Sequence, residues 1–136
     1  MATYCMSDIH GNYKKYIKML EKIRFSDSDT LYIIGDVLDR GREPIKILMH
    51  MMRHPNIIPI AGNHEYMAAM CFPVTLTELE NVEKLDAEKV QAVSEWQNVG
   101  GQTTINEFHK LTMNEKYDVI EYLEEFSLYV EVSCGG

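Results

Sequence analysis

Three short segments concentrate groups that can do chemistry together: Asp8-Ile9-His10-Gly11, Gly35-Asp36-Val37-Leu38-Asp39-Arg40-Gly41 and Gly62-Asn63-His64-Glu65. Residues two apart in an extended segment point the same way, so Asp8 and His10 can grip one ion with a carboxylate and an imidazole. Asp36 offers a carboxylate able to bridge two cations, and Arg40 offers a planar fork for phosphate oxygens. Asn63 contributes a neutral oxygen ligand, and His64 can transfer protons near neutral pH. This mixture of carboxylate, imidazole and amide suits manganese, iron or zinc better than a thiol-seeking metal. Each segment alone also reads as ordinary turn chemistry, with Asp and Gly after a strand and Asn as a helix cap. Three in succession, each after a predicted strand, are what make a site.

The elements that must position them alternate strand and helix. Thr3 to Met6 reads as a buried strand, with Ser7 to Gly11 as the turn after it. Asn12 caps a predicted helix with Tyr13, Tyr16, Ile17 and Leu20 inside and Lys14, Lys15, Lys18 and Lys22 in water. Leu31 to Ile34 is the second strand. Pro44 suits the first turn of a helix whose inner stripe is predicted as Ile45, Leu48, Met49 and Met52, stopped by Pro55. Ile57 to Ile60 is the third strand, and a helix is expected from Glu65. Such alternation predicts an α/β fold with a mostly parallel sheet and flanking helices. The three clusters then fall at the carboxyl ends of parallel strands, where open sheets place ligands.

The second half is helical. Residues 73–86 are polar and weakly patterned, Ala87 to Asn98 and Gln102 to Lys110 read as helices around Gly100–Gly101, and Asn114 is the expected cap of a last one. Val119, Tyr122, Leu123 and Phe126 share a face of that helix, and Glu121, Glu124 and Glu125 a solvated one. Leu128 to Ser133 alternates and predicts a half-buried strand. Gly135–Gly136 after it is a hairpin signal with no returning strand, read as a single domain, 1–136, cut short at its C-terminal end. An edge strand there favours self-association. Trp96 and most of the methionines at 49, 51, 52, 67 and 70 are expected in the core. His50, His54 and His109 are expected to face solvent or cap helices.

The chain has 136 residues, 46% hydrophobic and 25% charged, enough for one domain with a core. A formal charge of −8, from 13 basic and 21 acidic side chains, opposes binding to duplex nucleic acid. No stretch is apolar enough to span a bilayer, and the N-terminus lacks the basic flank of a signal peptide. Cys5, Cys71 and Cys134, an odd count without zinc spacing, fit free thiols in a reducing cytoplasm.

The three clusters resemble the signature D-x-H-G, G-D-x-x-D-R-G, G-N-H-E of calcineurin-like metallophosphoesterases, in the phosphoprotein phosphatase branch. The resemblance is to the bacteriophage lambda-type protein phosphatases and the bacterial diadenosine tetraphosphatases. Trp96, Asn98, Gly100 and Gly101 are similar to a segment of the phage-type group, and residues 72–94 match least. The resemblance implies the N-terminal part of an α/β/β/α sandwich and two divalent ions, manganese first among the candidates. Asp8, His10 and Asp36 would hold the first ion, and Asp36 and Asn63 would meet the second. A metal-activated hydroxide would attack phosphorus in line. Arg40, Asn63 and His64 would take the phosphate, with His64 protonating the leaving oxygen and Asp39 orienting its imidazole. Glu65 reads as a first-turn helix residue rather than a ligand.

The expected activity is phosphoester hydrolysis of a phosphorylated protein or a small phosphoester, with a serine/threonine protein phosphatase as the first reading and a dinucleoside tetraphosphate hydrolase as the alternative. A reading of another class is a metal-binding fragment with little turnover. Its basis is that two histidine ligands of the second metal, supplied late in the family pattern, have no counterpart here.

Overall fold

The computed structural model describes residues 1–77 and 87–133. Strands β1 (Thr3–Met6), β2 (Thr30–Ile34) and β3 (Ile57–Ile60) alternate with helices α1 (Tyr13–Lys22), α2 (Pro44–Met52) and α3 (Asn63–Thr77). Helices α4 (Ala87–Trp96), α5 (Gln102–His109) and α6 (Met113–Glu124) follow. The sheet has the order β1-β2-β3 with both pairings parallel. Each crossover therefore returns the chain to the same starting edge, and the residues after Met6, Ile34 and Ile60 emerge together at the opposite one.

Register explains which face is dry. Leu31 pairs with Tyr4 and Ile57, and Ile33 with Met6 and Pro59, forming the face the helices cover. Leu31 and Ile33 are fully buried there, in one hydrophobic cluster with Ile45, Ile47, Leu48 and Met51 of α2. The other face carries Cys5, Tyr32 and Ile34, and Ile34 is 51% exposed. Phe72 of α3 stacks on Phe108 of α5 at 4.0 Å and meets Trp96 edge-on at 5.3 Å. All three rings are inaccessible to solvent, a burial that contributes about 1.5–3 kcal/mol for each phenylalanine. Thus α3, α4 and α5 form one block behind the carboxyl edge of the sheet.

Several expectations hold. Asn12 caps α1 by accepting from the Lys15 N–H, and Pro44 starts α2. Val119, Leu123 and Phe126 are buried, and His109 is exposed. Cys5 and Cys71 are free thiols, whereas Cys134 and the Gly135–Gly136 turn lie outside the described residues. The region 78–86 lies outside them too. Among the described residues no helix is long and apolar enough to cross a membrane.

Others are corrected. The inner stripe of α2 is turned so that Ile47 and Met51 are buried while Met49 and Met52 are only half-buried, because α5 and α6 pack against α2 as well as α1. Met70 is 55% exposed. Helix α3 starts at Asn63 rather than Glu65 and runs through Pro73 to Thr77. Thr112, not Asn114, caps α6, through a reciprocal capping box with Glu115. Residues 128–133 form no strand. Pairing with the sheet stops at the Ile60–Ser127 bridge and the Ala61 N–H to Ser127 carbonyl bond, and Leu128 and Tyr129 are 79% and 76% exposed. His50 is half-buried rather than solvent-facing, with Tyr16 OH 2.8 Å from its Nδ1. The stacked His54 caps the end of α2 as expected, its Nδ1 2.8 Å from the His50 carbonyl oxygen.

Candidate metal and phosphate site

Asp8 and Asp36 each leave their strand in a left-handed conformation, with φ of 55° and 56°. His10, Asp39 and Arg40 do the same, so five of the six non-glycine residues with positive φ among the described residues belong to these turns; Arg24 is the sixth. Asp and His tolerate this region better than most residues, whereas Arg adopts it only where surrounding contacts hold it. Those contacts are between turns: the His10 N–H donates to the Asp36 carbonyl and the Gly11 N–H to that of Val37.

The result is a compact ligand group. One ligand atom from each of Asp8, His10 and Asp36 lies within 4.8 Å of the others. His10 Nδ1 sits 2.9 Å from the Leu38 carbonyl oxygen, which can only accept, so Nδ1 carries the proton and Nε2 keeps its lone pair. Nε2 is 3.7 Å from Asp8 Oδ1. Two carboxylates and an imidazole anchored through its far nitrogen are the donor set and support a divalent cation needs. Asn63 opens α3 at the same edge and is exposed; the next N–H, of His64, is 3.5 Å from Asp36 Oδ1.

Glu65 is not a ligand but a clasp. Only 1% exposed, it accepts hydrogen bonds from the backbone N–H groups of Asp36, Leu38 and Gly62. Burial pushes its carboxyl above the usual carboxylate range, while those three donors pull the other way. It thereby fixes the turn after β2 against the turn after β3.

Beside the ligand group, His64 Nδ1 is 2.6 Å from Oδ2 of Asp39, whose side chain is fully buried. The His64 and His10 rings meet edge-on with centroids 4.9 Å apart, so the second imidazole stands next to the ligand group. Arg40 is exposed, takes part in no ion pair among the described residues, and donates its backbone N–H to the Gly100 carbonyl at 3.0 Å. Gly100, at φ 110°, lies against this arginine, since a Cβ there would come 2.7 Å from Arg40 Cγ. Gly101 lies against the Trp96 indole, which its Cβ would meet at 2.6 Å. The Trp96 and Gly-Gly segment is thus packed directly onto Asp39 and Arg40.

All seven residues singled out from the sequence, Asp8, His10, Asp36, Asp39, Arg40, Asn63 and His64, therefore sit on turns at one sheet edge or on the start of α3. Sequence reading missed two contributors. Trp96 was expected in the core, and its indole N–H also donates to Asp39 Oδ2 at 2.7 Å. Thr104, whose hydroxyl donates to Asp39 Oδ1 at 2.6 Å, gave no signal at all.

Comparison with known proteins agrees with this geometry. The calcineurin-like phosphoesterase family model matches residues 1–131. A symmetrical bis(5'-nucleosyl)-tetraphosphatase of Buchnera aphidicola subsp. Schizaphis graminum is 30% identical over 146 residues, covering 100% of this chain and 53% of that protein. Its counterpart in Delftia acidovorans is 40% identical over 67 residues, 48% of this chain and 24% of that protein. In fold, the chain is similar to a crystal structure of a candidate diadenosine tetraphosphatase, with a TM-score of 0.57 and 17% identity over 92% of this chain and 46% of that one. The chain spans about half the length of the first of these relatives.

Proposed function

The chain belongs to the calcineurin-like phosphoesterase family, a family of hydrolases, and on that premise we propose that its substrate is a dinucleoside tetraphosphate, hydrolysed to two nucleoside diphosphates. The observation that carries this choice is the whole-chain alignment, at 30% identity, to a symmetrical bis(5'-nucleosyl)-tetraphosphatase. It reverses the order of the two substrate classes read from the motifs. A serine/threonine phosphatase would use the same groups and differ in the walls around them.

In this reading Asp8, His10 and Asp36 would hold one divalent cation, with manganese first among manganese, iron and zinc, and Asp36 and Asn63 would meet a second. Such ions, when bound, supply Lewis acidity toward water and the phosphoryl oxygens. The chain itself supplies the rest. Arg40 binds the phosphoryl oxygens as their charge grows, which matters because a chain of net charge −8 otherwise repels a polyphosphate. His64 stands with Nδ1 on Asp39, so Nε2 is the nitrogen that gives a proton to the leaving oxygen. Asp39, buried and held, keeps that imidazole in one orientation.

The test is product analysis by ion-exchange chromatography. Manganese-loaded full-length protein is expected to convert diadenosine tetraphosphate to ADP alone, with higher kcat/KM than for a phosphoserine peptide. AMP and ATP as products, or preference for the peptide, would overturn the assignment.

A further inference from the structure

The buried Asp39 carboxylate is held from three helices at once. His64 of α3 donates from Nδ1 to Oδ2 at 2.6 Å, and Trp96 of α4 donates from Nε1 to the same oxygen at 2.7 Å. Thr104 of α5 donates from Oγ1 to Oδ1 at 2.6 Å, and the same Oγ1 accepts the Asp39 backbone N–H at 2.9 Å. Asp39 and Thr104 are both 0% exposed, and so is Trp96. The carboxylate is closed off from bulk solvent, and among the described residues no lysine or arginine lies within ion-pair distance of it.

The geometry leaves little freedom. A threonine hydroxyl has one proton, and because Oγ1 already accepts from the Asp39 N–H, that proton is directed to Oδ1. Two bonds between the same pair of residues fix the rotation of the carboxylate plane. The indole N–H can only donate, so it pins Oδ2 as an acceptor. With both oxygens committed to accepting, the carboxylate cannot offer a proton to His64. The imidazole must therefore present its own N–H at Nδ1, leaving Nε2 as the working nitrogen.

We propose that Thr104 and Trp96 are positioning residues for leaving-group protonation: they lock the Asp39 carboxylate so that His64 presents Nε2 to the departing oxygen. This rests on the reading of His64 as the proton donor. In that step His64 is the imidazolium, with N–H at both nitrogens and Nδ1–H on Asp39. The oxygen of water bonds to phosphorus and gives up a proton to solvent, and the P–O bond to the leaving group breaks with its electron pair. The leaving oxygen takes the proton from Nε2, and the neutral ring keeps its proton at Nδ1. Neither Thr104 nor Trp96 touches substrate. Their contribution reaches the reaction only through Asp39 and His64, from segments 65 and 57 positions away in the chain.

The experiment compares wild type, Thr104→Val, Thr104→Ser, Trp96→Phe and His64→Asn on two aryl phosphates, one with a good leaving group (4-nitrophenyl) and one with a poor one (phenyl). Valine keeps the shape of threonine without the hydroxyl, and phenylalanine keeps a ring without the N–H. Thr104→Val and Trp96→Phe are each expected to lower kcat on phenyl phosphate by about 10–100-fold, to lower it far less on 4-nitrophenyl phosphate, and to leave KM nearly unchanged. Thr104→Ser is expected to restore the wild-type ratio. Independently of turnover, nitrogen-15 NMR of the histidine rings is expected to show His64 protonated at Nδ1 in wild type and a mixture of tautomers in Thr104→Val. Should Thr104→Val not fold, Trp96→Phe carries both readouts. Equal losses on the two substrates, or an unaltered His64 tautomer, would overturn the proposal. If His64→Asn is selective for leaving group while the Thr104 and Trp96 variants are not, only the positioning role fails. If His64→Asn is itself unselective, the reading of His64 as donor fails and this proposal falls with it.

Discussion

Glu65, in the first turn of α3, holds the backbone N–H of Asp36 on its carboxylate, so the helix after β3 fixes a residue of the candidate ligand group after β2. The pair are 29 positions apart, and Glu65 is only 1% exposed. A motif that reads as a helix start in the sequence is therefore a brace for the candidate metal site.

Replacing Glu65 by Gln turns one acceptor into an NH2 group that must face a backbone N–H. The expected cost is about 1–3 kcal/mol in urea unfolding. Manganese affinity should fall by about 10–100-fold, as for other groups that orient ligands. Wild-type stability together with wild-type affinity would show that the clasp has no influence on the site.

Gly101 should not tolerate a methyl group, because its Cβ would lie 2.6 Å from the indole of the chain's single tryptophan. Gly101→Ala is expected to destabilise by about 1–3 kcal/mol through overpacking. The emission of Trp96, buried in the wild type, should move to longer wavelength as the ring is displaced. An unchanged spectrum and unfolding midpoint would mean that the segment relaxes around the added carbon.

Much of this was legible in the sequence because it is local. Three strands, the turns after them and the seven residues they carry follow from short-range pattern, and parallel pairing brings them together. The Asp39–His64 pairing entered with the family resemblance. What was hidden depends on distant partners. Nothing near Thr104 hints at a carboxylate, and the Trp96 pattern reads as core, which it also is. The alternation of Leu128 to Val132 misled for the same reason. Alternating residues become a strand only where a neighbouring backbone accepts their hydrogen bonds, and pairing ends at Ser127. The half-buried place of His50 was hidden because a helical pattern cannot reveal Tyr16 from the preceding helix.

His50 gives the fold an acid limit. Burial first, then the nearby His54 and Arg53 charges, depress its pKa from 6.5 to about 4. Tyr16 OH lies 2.8 Å from His50 Nδ1, and burial keeps that phenol protonated, so it can donate to the neutral imidazole. Because the folded pKa lies below the unfolded one, its contribution is complete above pH 6.5 and is lost as the pH falls toward 4. His50→Gln keeps an acceptor for Tyr16 and removes the titration. The wild type should therefore lose more stability than this variant between pH 6.5 and pH 4, measured as the shift in urea midpoint. Parallel curves would rule out His50 as the source.

The central claim is that Asp8, His10 and Asp36 hold a cation on which hydrolysis depends. The most direct measurement is a manganese titration of wild type and Asp36→Asn, reading bound ion by calorimetry and turnover of diadenosine tetraphosphate in the same samples. Binding and turnover should rise together in the wild type, and Asp36→Asn should lose both, with affinity down by about 100-fold or more, beyond the usual effect of a residue that merely orients a ligand. Manganese-independent turnover, or wild-type affinity and turnover in Asp36→Asn, would contradict the account.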